Sequence, residues 1–162
     1  MGRRWAREKT FQLLYQIEMR DDAVDDQIES FIEHLKYFNE DALETESEMR
    51  FAVEDLQFIR SLVSGVEAGK DVLDEAIKPY LKAWTLDRLP RVDRSLLRLG
   101  AYEIMHLPDV PKSVSINEIV VLAKAYAAEE AHAYINAVLA NFEKQSSEED
   151  VAKQAFLPRS EA

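Results

Sequence analysis

LDRLPRVDRSLLRLGAYEI, residues 86–104, carries the pattern on which the fold turns. Pro90 suits the start of a helix, because its fixed φ matches a first turn and its missing N–H would find no partner there. Beyond it Val92, Leu96, Leu99 and Ile104 recur at helical spacing, with Arg91, Arg94 and Arg98 along another side. Such spacing, without sustained alternation, predicts an amphipathic helix and not a strand. Arg94 and Arg98 lie next to core leucines and are read as anchors that pair with acidic neighbours. Asp93 falls in the first turn, where its charge suits the helix dipole and leaves it accessible.

The same period extends in both directions. Upstream, a helix is expected over about 3–19, with Ala6, Leu13, Leu14 and Ile17 inward. DDAVDD (21–26) opens a second helix through Ile28, Phe31, Ile32 and Leu35, and the polar stretch 39–47 reads as a loop. Thr45 and Glu48 have capping-box spacing and open a third helix carried by Val53, Leu56, Ile59, Leu62 and Val66, which Gly69 can end. A fourth covers about 72–82 through Leu73, Ile77 and Leu81, with Pro79 marking a kink or a last turn.

Downstream, LPDVPK (107–112) breaks the chain between two prolines. Ser115 and Glu118 then read as a second capping box ahead of Ile119, Leu122 and Ala123. A last helix, AHAYINAVLANF (131–142), turns Ile135, Val138, Leu139 and Phe142 inward, and residues 144–162 read as a flexible tail. The expectation is an all-α compact bundle of about seven helices. It forms one domain over 1–143, with packed subdomains of about 1–69 and 70–143.

Composition narrows the chemistry. The 162 residues are 47% hydrophobic and 31% charged, as in a globular domain. With no cysteine there is no disulfide or thiolate chemistry, which suits a cytoplasmic protein. The paired arginines near the start are followed by Glu8 and Lys9 where an export signal needs an apolar run. The uncharged stretch AYINAVLANF is too short to span a membrane. Net charge is −11, yet MGRRWAREK (1–9) carries four basic residues and one acidic. From Glu18 to Asp55 fourteen acidic residues face three basic ones, which reads as a solvated face. Basic clusters at 3–9 and 82–98 flank it, a polarity that steers a polyanion to one side.

Catalytic signatures are scarce. Glu103/His106 and Glu129/His132 are two Glu-x-x-His pairs, the spacing used by di-iron bundles, but both sit near expected helix ends and no metal is assigned to them. No serine has a nucleophile-elbow context and no glycine-rich loop follows a strand. Asn117 and Asn136 read as hydrogen bonders at caps or between helices, and Tyr126 and Tyr134 either as core-edge residues or as base-stacking platforms.

Three segments carry a resemblance. RRWAREKTFQLLYQIE (3–18), residues 86–104 and VPKSVSINEIVVLAKAYAAEEAHAYINAVLANF (110–142) resemble, in that order, the signatures of the bacterial NusB antitermination family. Two departures are mild: Asn136-Ala137 replaces the family's asparagine-glycine pair, and Tyr134 replaces a phenylalanine. The resemblance implies a non-catalytic, all-helical protein without cofactor. It also implies a ribosomal small-subunit protein, acting as NusE, as partner, with boxA RNA bound jointly and the RNA polymerase antitermination complex as destination. On the matching positions it implies RNA contacts at Arg3, Arg4, Arg7, Glu130 and Tyr134, and partner docking at Asp93. Two other classes stay open: a helical interaction scaffold or homodimer without RNA binding, and a di-iron bundle enzyme.

Overall fold

The computed structural model describes residues 2–40, 45–82 and 84–156. Among them the chain forms seven α-helices and no strand: α1 Arg3–Met19, α2 Val24–Glu40, α3 Glu46–Ala68, α4 Lys70–Ile77, α5 Arg91–His106, α6 Lys112–Tyr126 and α7 Ala131–Phe156. Two short 3-10 turns, Lys78–Tyr80 and Leu86–Arg88, lie between α4 and α5. Pro79 accounts for the first: it has no N–H for an α-helical bond, and α4 tightens into the 3-10 turn there.

The arginine- and leucine-rich helix α5 is the centre of the fold. α5 packs against α1, α3, α4, α6 and α7, and its Leu96, Leu97, Leu99 and Ala101 are fully buried. Two glycines permit this closeness. A Cβ on Gly100 would come within 2.6 Å of a Leu139 methyl on α7, and one on Gly65 of α3 would stand 2.2 Å from the Tyr102 hydroxyl. The inward positions of α1, α4, α6 and α7 are buried as their spacing requires, as are Ile28, Ile32 and Leu35 of α2.

α3 differs at one place. Val53 is exposed, and the buried stripe runs instead through Ala52, Asp55, Ile59, Leu62, Val63 and Val66. The Thr45–Glu48 capping box is formed: the Glu48 N–H donates to Thr45 Oγ1 at 3.1 Å and the Thr45 N–H to Glu48 Oε2 at 3.0 Å. The Ser115–Glu118 box is not. α6 begins at Lys112, with Pro111 just ahead of it, so Ser115 is already inside the helix and its N–H bonds to the Pro111 carbonyl. Its hydroxyl is free to serve a neighbouring helix.

Two boundaries also move. α2 continues to Glu40, so the expected loop begins later, and residues 41–44 lie outside the described ones. α7 does not end near Phe142; it continues through the expected tail to Phe156. That stretch is rich in Glu, Lys, Gln and Ala, which favour helix by intrinsic propensity. Ser147 donates to Glu143 across one turn at 2.9 Å. No helix of the described residues is long and apolar enough to cross a membrane.

Gly65→Ala tests the α3–α5 contact. Alanine gains about 1 kcal/mol of helix propensity over glycine, but its methyl would drive the Tyr102 ring out of place. A net destabilisation of about 1–3 kcal/mol is expected from overpacking. Denaturant melts should show it, and Tyr102→Ala in the same chain should cancel part of it.

Candidate nucleic-acid interface

α1 begins at Arg3 with Gly2 as its N-cap, no side-chain cap and no acidic residue in its first turn. The positive end of the helix and two arginines therefore share one spot. Arg3 is exposed, and its guanidinium carbon sits 4.0 Å above the centre of the Phe58 ring of α3. That contact orients the planar cation without neutralising it. Beneath lies Asp55, buried, with Oδ2 unbonded; burial pushes its carboxyl pKa up, while the Arg3 charge pulls it back.

Arg4 is exposed as well, and makes a two-pronged pair with Glu118 of α6: Nε to Oε2 at 3.0 Å and a terminal nitrogen to Oε1 at 2.9 Å. The Arg4 hydrogen bond holds the Glu118 carboxyl below its ordinary range. The Arg4 side chain is still 67% exposed, so a phosphate can reach it.

Arg7 is a correction. It is buried, and its guanidinium donates to Glu103 of α5 from Nε at 3.0 and 3.1 Å and from a terminal nitrogen at 2.9 Å. The Ser115 hydroxyl donates to the same carboxylate at 3.1 Å. The cluster joins α1, α5 and α6, and leaves Arg7 no face for RNA. It also settles Glu103, whose oxygens are engaged by Arg7 and Ser115, while the exposed His106 ring rests 4.7 Å from that of Tyr102. No group of three or more potential metal ligands exists among the described residues.

At the far end of α1 a second ionic cluster forms. Arg98 of α5 donates to Asp74 of α4 at 2.7 and 2.9 Å and to Glu18 of α1, and Arg94 reaches Glu18 at 3.4 Å. Burial pulls the Arg98 pKa down, but Asp74 and Glu18 carry it above its ordinary value. Arg94 and Arg98 are thus the anchors their position beside core leucines implies.

The remaining expected site residues gather at this second end. The Tyr134 hydroxyl donates to the Leu81 carbonyl at 2.9 Å, and Glu130 is exposed just before α7. Burial, followed by the Asp93 charge, raises the Tyr134 pKa. Asp93 itself is the second correction: only 7% exposed, it lies beneath the surface, and burial pushes its carboxyl pKa up. Tyr134 is half-buried, so part of its ring packs inward and part remains open. Asn117 and Asn136 are exposed within α6 and α7, away from the caps that are one of the two roles expected of them. Tyr126 is exposed; its hydroxyl donates to Glu8 and accepts from Gln12, and its ring sits 4.9 Å from that of Phe11.

The site residues therefore occupy two places. Arg3 and Arg4 stand at the start of α1; Tyr134 belongs with the Leu81 turn and with Asp93 at the start of α5, whose Arg94 reaches Glu18 toward the other end of α1. Seventeen helical residues separate those ends, roughly 25 Å at 1.5 Å per residue.

A family model described as NusB family matches residues 4–144. The chain belongs to the NusB family. A relative named transcription antitermination protein NusB, from Listeria monocytogenes, is 41% identical over 141 residues, covering 87% of this chain and 95% of its own. One of the same name from Staphylococcus aureus is 41% identical over 144 residues, covering 89% of this chain and all of its own. Among solved structures, T. maritima NusB aligns with a TM-score of 0.74 at 28% identity, over 90% of this chain and 92% of that one. A structure of antitermination factors NusB and NusE in complex with dsRNA aligns at 0.70 and 25% identity, over 88% of this chain and 96% of that one. These NusB-family matches span the bundle, so the two ends of α1 are compared within one shared fold.

Arg7→Ala separates structure from contact. Leaving Glu103 buried without its cation, with only the Ser115 hydroxyl still donating to it, should cost about 3–5 kcal/mol and lower the Tm by roughly 10 °C. Arg7→Met with Glu103→Leu should recover most of it. Glu118 supplies a pH test with a definite sign. Its lowered pKa means the Arg4 pair contributes stability above the ordinary carboxylate range and loses it as pH falls through the folded value. In Arg4→Ala the Glu118 carboxyl should titrate at higher pH, read by carbon-detected NMR.

Proposed function

We propose that this chain is a non-catalytic transcription antitermination factor of the cytoplasm. It binds boxA RNA together with a ribosomal small-subunit protein acting as NusE, and joins the RNA polymerase antitermination complex. The observation that carries this reading is the exposed arginine pair at the uncapped start of α1, in a NusB-family chain whose net charge is −11. Phosphates are taken where cations, helix dipole and accessible N–H groups coincide, and the acidic remainder repels RNA elsewhere. Few phosphate contacts give weak binding, which explains why a second, basic subunit is needed.

In this reading Arg3 and Arg4 hold phosphates, and the open part of the Tyr134 ring meets a base. Glu130 on the same rim limits non-specific attraction. Asp93 acts from below the surface, by setting the charge beneath Tyr134, and does not itself touch a partner. Family membership and the engagement of Glu103 by Arg7 both favour this reading over a di-iron enzyme.

The test is RNA binding by the NusE-bound protein. Arg3→Ala with Arg4→Ala should weaken binding of a short boxA RNA far more than the small drop in Tm from losing the Arg4–Glu118 pair and the Arg3–Phe58 contact accounts for. The slope of log affinity against log salt should become shallower by about 1.4, at about 0.7 for each contact with a single strand. Unchanged affinity and slope would move the RNA site away from α1. Glu130→Asn should tighten binding modestly by removing a repelling charge.

A further inference from the structure

One surface has no place in that reading: the connection between α4 and α5, part of the second basic cluster. Trp84 there is 53% exposed. Lys78 and Lys82 are exposed too, and with Trp84 they line a groove of about 650 Å³. Neither lysine makes an ion pair with a described residue. Of the groove's carboxylates, Asp74 is held by Arg98 and Asp87 lies in the fields of Arg88 and Arg94, which leaves Glu75.

The geometry of this connection is imposed. Lys82 has φ 55°, the one non-glycine positive φ among the described residues. A lysine takes up that left-handed conformation only where its surroundings require it, and such residues cluster at functional sites. The requirement is visible at the neighbouring Leu81 carbonyl, which accepts two hydrogen bonds. One comes from the Trp84 N–H at 3.1 Å and the other from the Tyr134 hydroxyl at 2.9 Å. The second bond ties the connection to α7 and places Lys82 and Trp84 beside Tyr134. Exposed indole, unpaired ammonium groups and a held backbone are together the elements of a stacking platform for unpaired bases.

We propose that Trp84, flanked by Lys78 and Lys82, stacks unpaired nucleotides of the same RNA that Arg3, Arg4 and Tyr134 contact. The site extends that interface and rests on the RNA-binding reading above. The indole accepts any base by its face, so the platform adds affinity for single-stranded RNA with little sequence preference. The lysines contribute phosphate contacts that vary with salt.

Trp5 and Trp84 are the two tryptophans of the chain. In a Trp5→Phe protein, emission therefore reports Trp84. The NusE-bound protein is titrated with a boxA RNA and with the same RNA carrying about six unpaired nucleotides at each end, within the span one such site covers. The extended RNA is expected to quench Trp84 and to bind about tenfold more tightly than the short one, from one base stacked. Trp84→Ala should abolish that gain at unchanged Tm, and Trp84→Phe should keep most of it. Lys82→Gln should make the salt slope shallower by about 0.7.

Three results would overturn the proposal. If the extended RNA left Trp84 unquenched, and the short RNA still bound through Arg3 and Arg4, the platform would fall and the RNA-binding reading would stand. If neither RNA bound at all, both would fall. If Trp84→Ala lost the protein partner and kept its affinity for the extended RNA, the surface would belong to protein docking.

Discussion

Everything in this bundle depends on how α1 is fastened along α5. The two helices run antiparallel and are pinned at both ends by ions. At one end Arg7 meets Glu103 and Ser115; at the other Arg98 and Arg94 meet Glu18, with Asp74 drawn in. Around and between these clusters the two helices present apolar faces, with Leu13 and Leu14 of α1 and Leu97 and Leu99 of α5 buried in the same core. Apolar packing supplies the driving force, but it would tolerate sliding by a turn. A buried ion pair does not, since a shifted register would leave a charge unpaired at a cost of several kcal/mol. The ionic ends thus fix the register, and with it the separation of the two places where α1's ends meet solvent.

Charge is distributed to match. Along α2 and the start of α3, Asp25, Asp26, Glu29, Glu33, Glu46 and Glu48 face water, a surface that repels polyanions. Arg3 and Arg4 are exposed at the start of α1, one turn before the Arg7–Glu103 cluster that holds that end of the helix. Specific RNA binding by an acidic protein needs this arrangement: few contacts, accurately placed, on a surface that otherwise repels.

Much of the fold was legible in the sequence because helices announce themselves by period. The inward residues of six helices follow from their spacing, and Thr45–Glu48 and Pro90 mark real helix starts. What failed was the reading of polar residues that the period itself places inside. Arg7 precedes Phe11 by one turn and Leu14 by two, both buried, and so lies on the core stripe. The family resemblance assigns it to RNA along with Arg3 and Arg4, whereas its place on the stripe puts it inside. The same signal was present at Asp93, four residues before Leu97 on a buried face. Ser115 was misjudged differently. A serine three residues ahead of a glutamate fits a cap, but the earlier proline opens the helix, and only the tertiary contact with Glu103 shows what the hydroxyl does. Trp84 and the turn beside it have no period at all, and their geometry depends on Tyr134, fifty residues away.

Arg4 and Arg7 show how burial, more than residue type, decides which cation can take part in function. Each pairs with a glutamate at 2.9 Å, in a geometry that differs little. Arg4 keeps two-thirds of its surface in water, and exposed pairs of this kind contribute little to stability because solvent and salt screen them. A phosphate can therefore displace Glu118, or share Arg4 with it, at small cost. Arg7 and Glu103 are removed from water on all sides, so separating them would strand two buried charges. No single phosphate contact of an exposed kind offsets that. One turn of helix thus divides a cation available for exchange from a cation committed to the fold.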